Sequence, residues 1–196
     1  MSMLPEYLSS RLALWGGVLL ILGGCASEPV NFHTLVPAHP AQPAGPAPAM
    51  EIRLEQVTVP PQVDRTQLVI RQGRSGLRVL ETDWWGAPLG DEVHSALTDQ
   101  LSSPPTGTTT RQPTASLRVA VQRFDSVLGE YALLDVKWQL KPESPGAETR
   151  CHTVLKTPAG DTLETLVNAH QNNLSALAAL IAEASRGRLR SCAGGG

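Results

Sequence analysis

The sequence predicts an α+β domain, a mostly antiparallel or mixed β-sheet with two main helices packed on it. Three observations carry that reading. Leu117, Val119 and Val121 alternate with Arg118 and Gln122, and Leu134, Val136, Trp138 and Leu140 alternate with Asp135, Lys137 and Gln139. A period of two suits antiparallel strands with one covered and one wet face. Leu89, Val93, Leu97 and Leu101 recur every four residues, and Leu174, Leu177, Ile181 and Ala184 define a second helical face among alanines. Each is one apolar stripe on a helix.

The elements follow in order. Residues 30–35 alternate weakly and predict a short strand. Residues 36–49 are rich in Pro and Ala, and repeated proline removes amide donors and fixes φ. That segment reads as an extended surface stretch, either lengthening a tether or looping between the first strand and the rest. Met50, Ile52 and Leu54 then alternate with Glu51, Arg53 and Glu55. Gln56 breaks the phase, and Val57 and Val59 resume it shifted by one, as a β-bulge requires. Pro60-Pro61 ends the strand. Residues 67–71 and 77–81 read as two strands joined by a turn at Gly73-Arg74-Ser75-Gly76.

Pro88 stands near the start of the first helix, with Asp91 in its first turn; Asp83 is read with it as a helix-start acid. Residues 102–113 read as loop. After the two clear strands comes another at 150–156, and Pro158-Ala159-Gly160-Asp161 suggests a hairpin into Thr162-Leu163-Glu164-Thr165-Leu166. The last helix has Asn173 as N-cap and Gly187 as its stop. Arg186, Arg188 and Arg190 read as complements to its carboxyl end.

The chain begins differently. After a lone Arg11, residues 12–24 form an apolar run that stops at small residues before Cys25. A helix needs about 20 apolar residues to cross a hydrocarbon core, whereas a secretory signal has a charged start, a shorter apolar centre and a small-residue exit. Leu22-Gly23-Gly24-Cys25 resembles the lipobox of bacterial lipoproteins, with Gly23 where Ala or Ser is commoner. That resemblance implies a signal peptide over 1–24, cleavage before Cys25, and covalent N-acyl and diacylglyceryl groups on Cys25. The competing reading is an ordinary signal peptide, or a buried helix, that ends in Cys. The organisation expected is therefore a lipidated N-terminus with short strand and Pro/Ala segment over 25–49, a single periplasmic domain over 50–190, and a flexible tail over 191–196.

Composition narrows the chemistry. Sixteen basic and 18 acidic residues leave a formal charge of −2, dispersed along the chain, which argues against a nucleic-acid partner. With Cys25 lipidated, Cys151 and Cys192 are an even pair outside the cytoplasm, read either as a disulfide or as two independent thiols. The five histidines lack metal-ligand spacing. No phosphate loop, dinucleotide fingerprint or nucleophile elbow occurs. The expectation is a non-enzyme with no metal and no cofactor beyond its acyl groups.

Two stretches are more specific. Pro60, Asp64, Arg65, Gln67, Val69 and Arg71 form one pattern, and Trp85, Pro88 and Leu89 open the first helix in another. With Arg123-Phe124-Asp125, the Trp138 strand, Leu166-Val167-Asn168-Ala169 and the lipobox, their order resembles the PqiC/YmbA family. These are auxiliary lipoproteins of MCE-type lipid transport systems. The sequence departs from the family where Ala87 stands in place of a common acid, where Pro61-Gln62-Val63 replaces Tyr-Leu, and where residues 32–35 replace a tyrosine-rich strand.

The resemblance implies a non-catalytic periplasmic protein, lipid-anchored to the outer membrane and docking on an MCE-domain protein of an ABC-type lipid transport system. A homo-oligomeric ring is implied for some members. Ala26 and Ser27 place no Asp after the cysteine, which favours the outer membrane. Asp64, Arg65, Gln67, Arg71, Trp85, Pro88 and Leu89 are the candidate interface or structural residues. Arg and Trp are enriched at interface hot spots, while a turn at Asp64-Arg65 and a core Trp85 are the bland alternative. Two other functions stay open: a periplasmic carrier with its own lipid-binding cavity, and an exported hydrolase.

Overall fold

A computed structural model describes residues 28–38, 47–102, 113–189 and 192. The signal peptide, Cys25, much of the Pro/Ala segment, most of the 102–113 loop, Arg190 and nearly all of the tail lie outside the described residues. The elements are β1 (Asn31–His33), β2 (Glu51–Thr58), β3 (Gln67–Gln72), β4 (Gly76–Trp85), α1 (Leu89–Leu101), β5 (Thr114–Val127), β6 (Tyr131–Pro142), β7 (Thr149–Pro158) and α2 (Leu163–Ser185).

They form two sheets, ordered β1-β4-β3 and β2-β5-β6-β7. Pairs β3/β4, β5/β6 and β6/β7 are antiparallel, while β1/β4 and β2/β5 are parallel. The fold is thus α+β with mixed sheets. α2 lies across β5, β6 and β7 and packs on α1, which covers β2. Leu117, Leu134, Val136, Leu174, Leu177, Ile181, Val93 and Leu97 are almost fully buried in that layer. Each such side chain removed from water contributes about 1.5–3 kcal/mol.

Two bulges shape the larger sheet. The β2/β5 register slips between Leu54 and Gln56, where the hydrophobic phase changes. The β5/β6 register slips between Val121 and Arg123. Beyond that second slip Phe124, Asp125 and Ser126 are all buried, because this end of β5 is covered on both faces.

Several readings are corrected. Thr162-Leu163-Glu164-Thr165-Leu166 is not the second arm of a hairpin but the start of α2. Thr162 is its N-cap, its side chain accepting from Thr165 N, and Leu163, Leu166, Val167 and His170 follow the helical spacing. Asn173 is accordingly not a cap. It is buried in mid-helix, donating to Ala132 O at 3.1 Å and accepting from Thr157 Oγ1 at 2.7 Å. Asp83 is not a helix-start acid either, for it lies in β4 and accepts from His33 and Asn31. Finally, the folded unit does not begin at residue 50. β1 is an edge strand of the smaller sheet, and Leu35 just after it is 1% exposed. The Pro/Ala segment therefore joins two parts of one domain and adds nothing to a tether.

Gly187 stops α2 as expected, at φ 69°. Its N–H donates to Ala184 O and that of Arg188 to Glu183 O, the double closure of a Schellman end. Arg186 does not serve the helix terminus as expected. Its guanidinium donates twice to Ala47 O, at 3.1 and 2.6 Å. Ser185 Oγ accepts from Ala49 N at 2.9 Å. Together they pin the end of the Pro/Ala segment to α2.

Candidate docking surface and motif cluster

The motif residues singled out in the sequence converge, mostly as internal joints. Pro60 O accepts from Val63 N and Asp64 N, closing the turn after β2. Asp64 Oδ1 then accepts from Gly90 N at 3.3 Å, a carboxylate in the first turn of α1, where the helix dipole favours negative charge. Arg65 is exposed, and Gln67 is half-buried opposite Trp84. Pro88 is the N-cap of α1, its carbonyl accepting from Asp91 N and Glu92 N. Leu89 and Trp85 are core residues, 1% and 3% exposed. Ala87 brings no carboxylate to this corner.

Arg71 reaches from β3 to β5, its Nη2 donating to Asp125 Oδ1 at 2.8 Å. Arg123 donates to the other carboxylate oxygen. Asp125 is buried, so the two guanidinium groups supply the charge that its desolvation demands. Beside it Trp85 meets Phe124 edge-on, and Phe124 stacks flat on His170 with ring centroids 3.9 Å apart. His170 Nε2 and Ser126 Oγ share a hydrogen bond of 2.9 Å, while Nδ1 has no partner among the described residues. Burial pushes the His170 imidazole down to about 3, against the opposing pull of Asp125. A Ser-His pair of this kind needs an orienting acceptor on Nδ1 and access to substrate to act as nucleophile and base. Ser126 and His170 are buried and have neither, so the pair reads as a structural contact.

Glu92 is a further joint that the sequence did not reveal. Buried in α1, it accepts from Thr34 Oγ1 and Leu35 N, both at 2.8 Å, and so ties the exit of β1 to the helix. Gly86 permits the approach, since a Cβ there would lie 2.9 Å from Glu92 Oε1. On the same side of β1, Asp83 is held by His33, Thr82 and Asn31. Burial raises its pKa, but these hydrogen bonds outweigh it and hold the carboxyl below its ordinary value.

The outer face of β2-β5-β6-β7 is uncovered by helices. Gln56, Thr58, Arg118, Ala120, Lys137, Gln139, Arg150 and His152 line a hollow of about 390 Å³ there. Arg118 pairs with Glu55 at 2.9 Å, His152 with Asp135 at 2.7 Å, and Arg150 with Glu148. A second hollow of about 560 Å³ lies at the far end, between Met50, Leu140, Pro142, Ala147 and Leu189. Cys192 borders it, its Cα 5.5 Å from that of Cys151 in β7, within the span a disulfide allows. Among the described residues there is no cluster of metal-ligating side chains and no helix long and apolar enough to cross a membrane.

Most of the motif residues thus serve to join two sheets, and the outer face of the larger sheet is left open. The chain belongs to the family of ABC-type transport auxiliary lipoprotein components, whose model matches residues 33–182. Two crystal structures share the fold. One, of an uncharacterized protein, is 18% identical with a TM-score of 0.60, over 80% of this chain and 99% of the other. The second, of a protein from Xanthomonas campestris, is 17% identical with a TM-score of 0.59, over 80% of this chain and 95% of the other. No curated protein matches significantly.

Proposed function

We propose that this lipoprotein is the non-catalytic auxiliary subunit of an MCE-type intermembrane lipid transport system, held in the periplasm by acyl groups on Cys25 in the inner leaflet of the outer membrane. It docks there on the MCE protein, and copies of it associate around that partner. The observation that carries this reading is family membership over residues 33–182 in a chain with Leu22-Gly23-Gly24-Cys25 ahead of the matched domain. The open face of the larger sheet supports docking over lipid carriage. Its hollow is open to solvent, with exposed Gln56, Arg118, Lys137 and Arg150 around an apolar floor that includes Val119 and Trp138, the apolar centre and polar rim of a protein interface.

Affinity capture from detergent-solubilised membranes tests the proposal. The tagged full chain recovers an MCE-domain protein, and charge reversal at Lys137 reduces that recovery. Repeated capture of intact bait with no MCE-domain protein would refute the docking.

A further inference from the structure

Val30 and Phe32 are 40% and 69% exposed, and Phe32 is the most exposed of the large apolar residues described. Phe32 is paired in register with Trp84 of β4, and the two rings meet edge-on with centroids 6.3 Å apart. Strand alternation sets Phe32 and Trp84 on one face of the small sheet, opposite the face of Asn31, His33 and Asp83. The polar groups of that edge, His33 and Asp83, are thus bonded to each other on the far side, and the aromatic pair shares the near side.

The position of the pair along the chain identifies its occupant. The five residues from Cys25 to Val30 reach at most about 18 Å when extended, and those to Phe32 about 25 Å. With the Pro/Ala segment placed after β1, nothing else lengthens the tether. An acylated Cys25 lies at headgroup depth, so the aromatic edge is held within that reach of the bilayer. Tryptophan and other amphipathic rings favour this zone. The indole Nε1 of Trp84 already donates to Glu81 O at 2.9 Å, so moving it into a less polar medium strands no donor.

We infer that Val30, Phe32 and Trp84 form a membrane footing, resting the β1 edge on the phospholipid surface and fixing how the domain stands on its anchor. The inference rests on the proposed acylation of Cys25 and adds an orientation to it.

Tryptophan fluorescence tests it. The acylated mature chain is reconstituted into vesicles of phosphatidylethanolamine and phosphatidylglycerol with brominated acyl chains. Trp85 and Trp138 are each 3% exposed, so quenching reports on Trp84. We expect quenching in the parent chain, its loss in Trp84→Phe, and its loss in Phe32→Ser with an unchanged circular dichroism spectrum. Absence of quenching in the parent would overturn the footing. So would shielding of Trp84 from aqueous acrylamide that rises with protein concentration, the mark of a second copy. Shielding seen only on adding an MCE-domain protein would overturn it equally. Intact mass separates the two readings: a chain without acyl groups refutes the native anchor. The footing is then read on the same chain coupled through the Cys25 thiol to a maleimide lipid, where quenching supports it and none overturns it.

Discussion

The guanidinium of Arg71 on β3 lies 2.8 Å from the carboxylate of Asp125 on β5, joining strands of two different sheets across 54 residues of sequence. Asp125 is 5% exposed at its side chain and Arg71 26%, so water screens the pair little. Removing the carboxylate leaves Arg71 without its partner at the junction. Asp125→Ala is expected to destabilise the domain by about 3 kcal/mol, within the range for breaking buried pairs. Arg71→Met costs less, because Arg123 continues to serve Asp125. Urea unfolding monitored by circular dichroism checks both the size and the order of the two effects.

His170 makes stability depend on pH. Its folded value of about 3 lies below its ordinary 6.5, so between these values the unfolded chain binds the extra proton. The contribution of neutral His170 is complete above about pH 6.5 and is lost progressively as pH falls towards 3. His170→Gln should therefore show a shallower loss of stability over that window than the parent. Carboxylates titrate in both proteins, so the difference between the two curves isolates the imidazole. Parallel curves would show that the ring is not buried as described.

We propose a disulfide between Cys151 and Cys192, which stand 41 residues apart in the chain. It constrains the unfolded chain, and its removal should cost about 3–4 kcal/mol. Non-reducing mass spectrometry of the exported protein reads the bond directly, and two free thiols would end this proposal. The double variant Cys151→Ala/Cys192→Ala measures the cost.

Cys25→Ser should release a folded domain from the membrane fraction while leaving partner capture intact. Fractionation followed by pull-down checks this. A variant that fails to fold would show that the anchor is not separable from the domain.

Local signals were legible wherever one residue determines local geometry. Gln56 marked the bulge in β2 by breaking the hydrophobic phase, while Pro88 marked the start of α1 and Gly187 the end of α2 through their backbone preferences. Thr162 to Leu166 misled because the preceding Pro, Gly and Asp suggest a turn into a hairpin, while the helical spacing of Leu163, Leu166 and Val167 shows only when the window extends past Leu166. Asn173 looked like a cap because capping amides and buried amides are the same residue, told apart only by what the fold places beside them. Arg71 and Asp125 each stood in a recognisable motif, but their pairing depends on the bulge near Gln122 and on the approach of two sheets. Glu92 carried no signal at all, since acids early in helices are common. The parallel pairing of β1 with β4 was equally hidden, because it is non-local and involves only three residues.

The grip of Glu92 on Thr34 and Leu35 has a mechanical meaning. Any pull on the N-terminus enters the protein through three paired positions of β1, then through the Glu92 carboxylate at the head of α1 and the Gln171 amide of α2, which donates to Thr34 O at 3.0 Å. The four-stranded sheet lies behind that joint and takes no part in these side-chain hydrogen bonds. The fold therefore contains a breakaway link: under load the leash peels from the small sheet first, and the body that meets the partner keeps its shape.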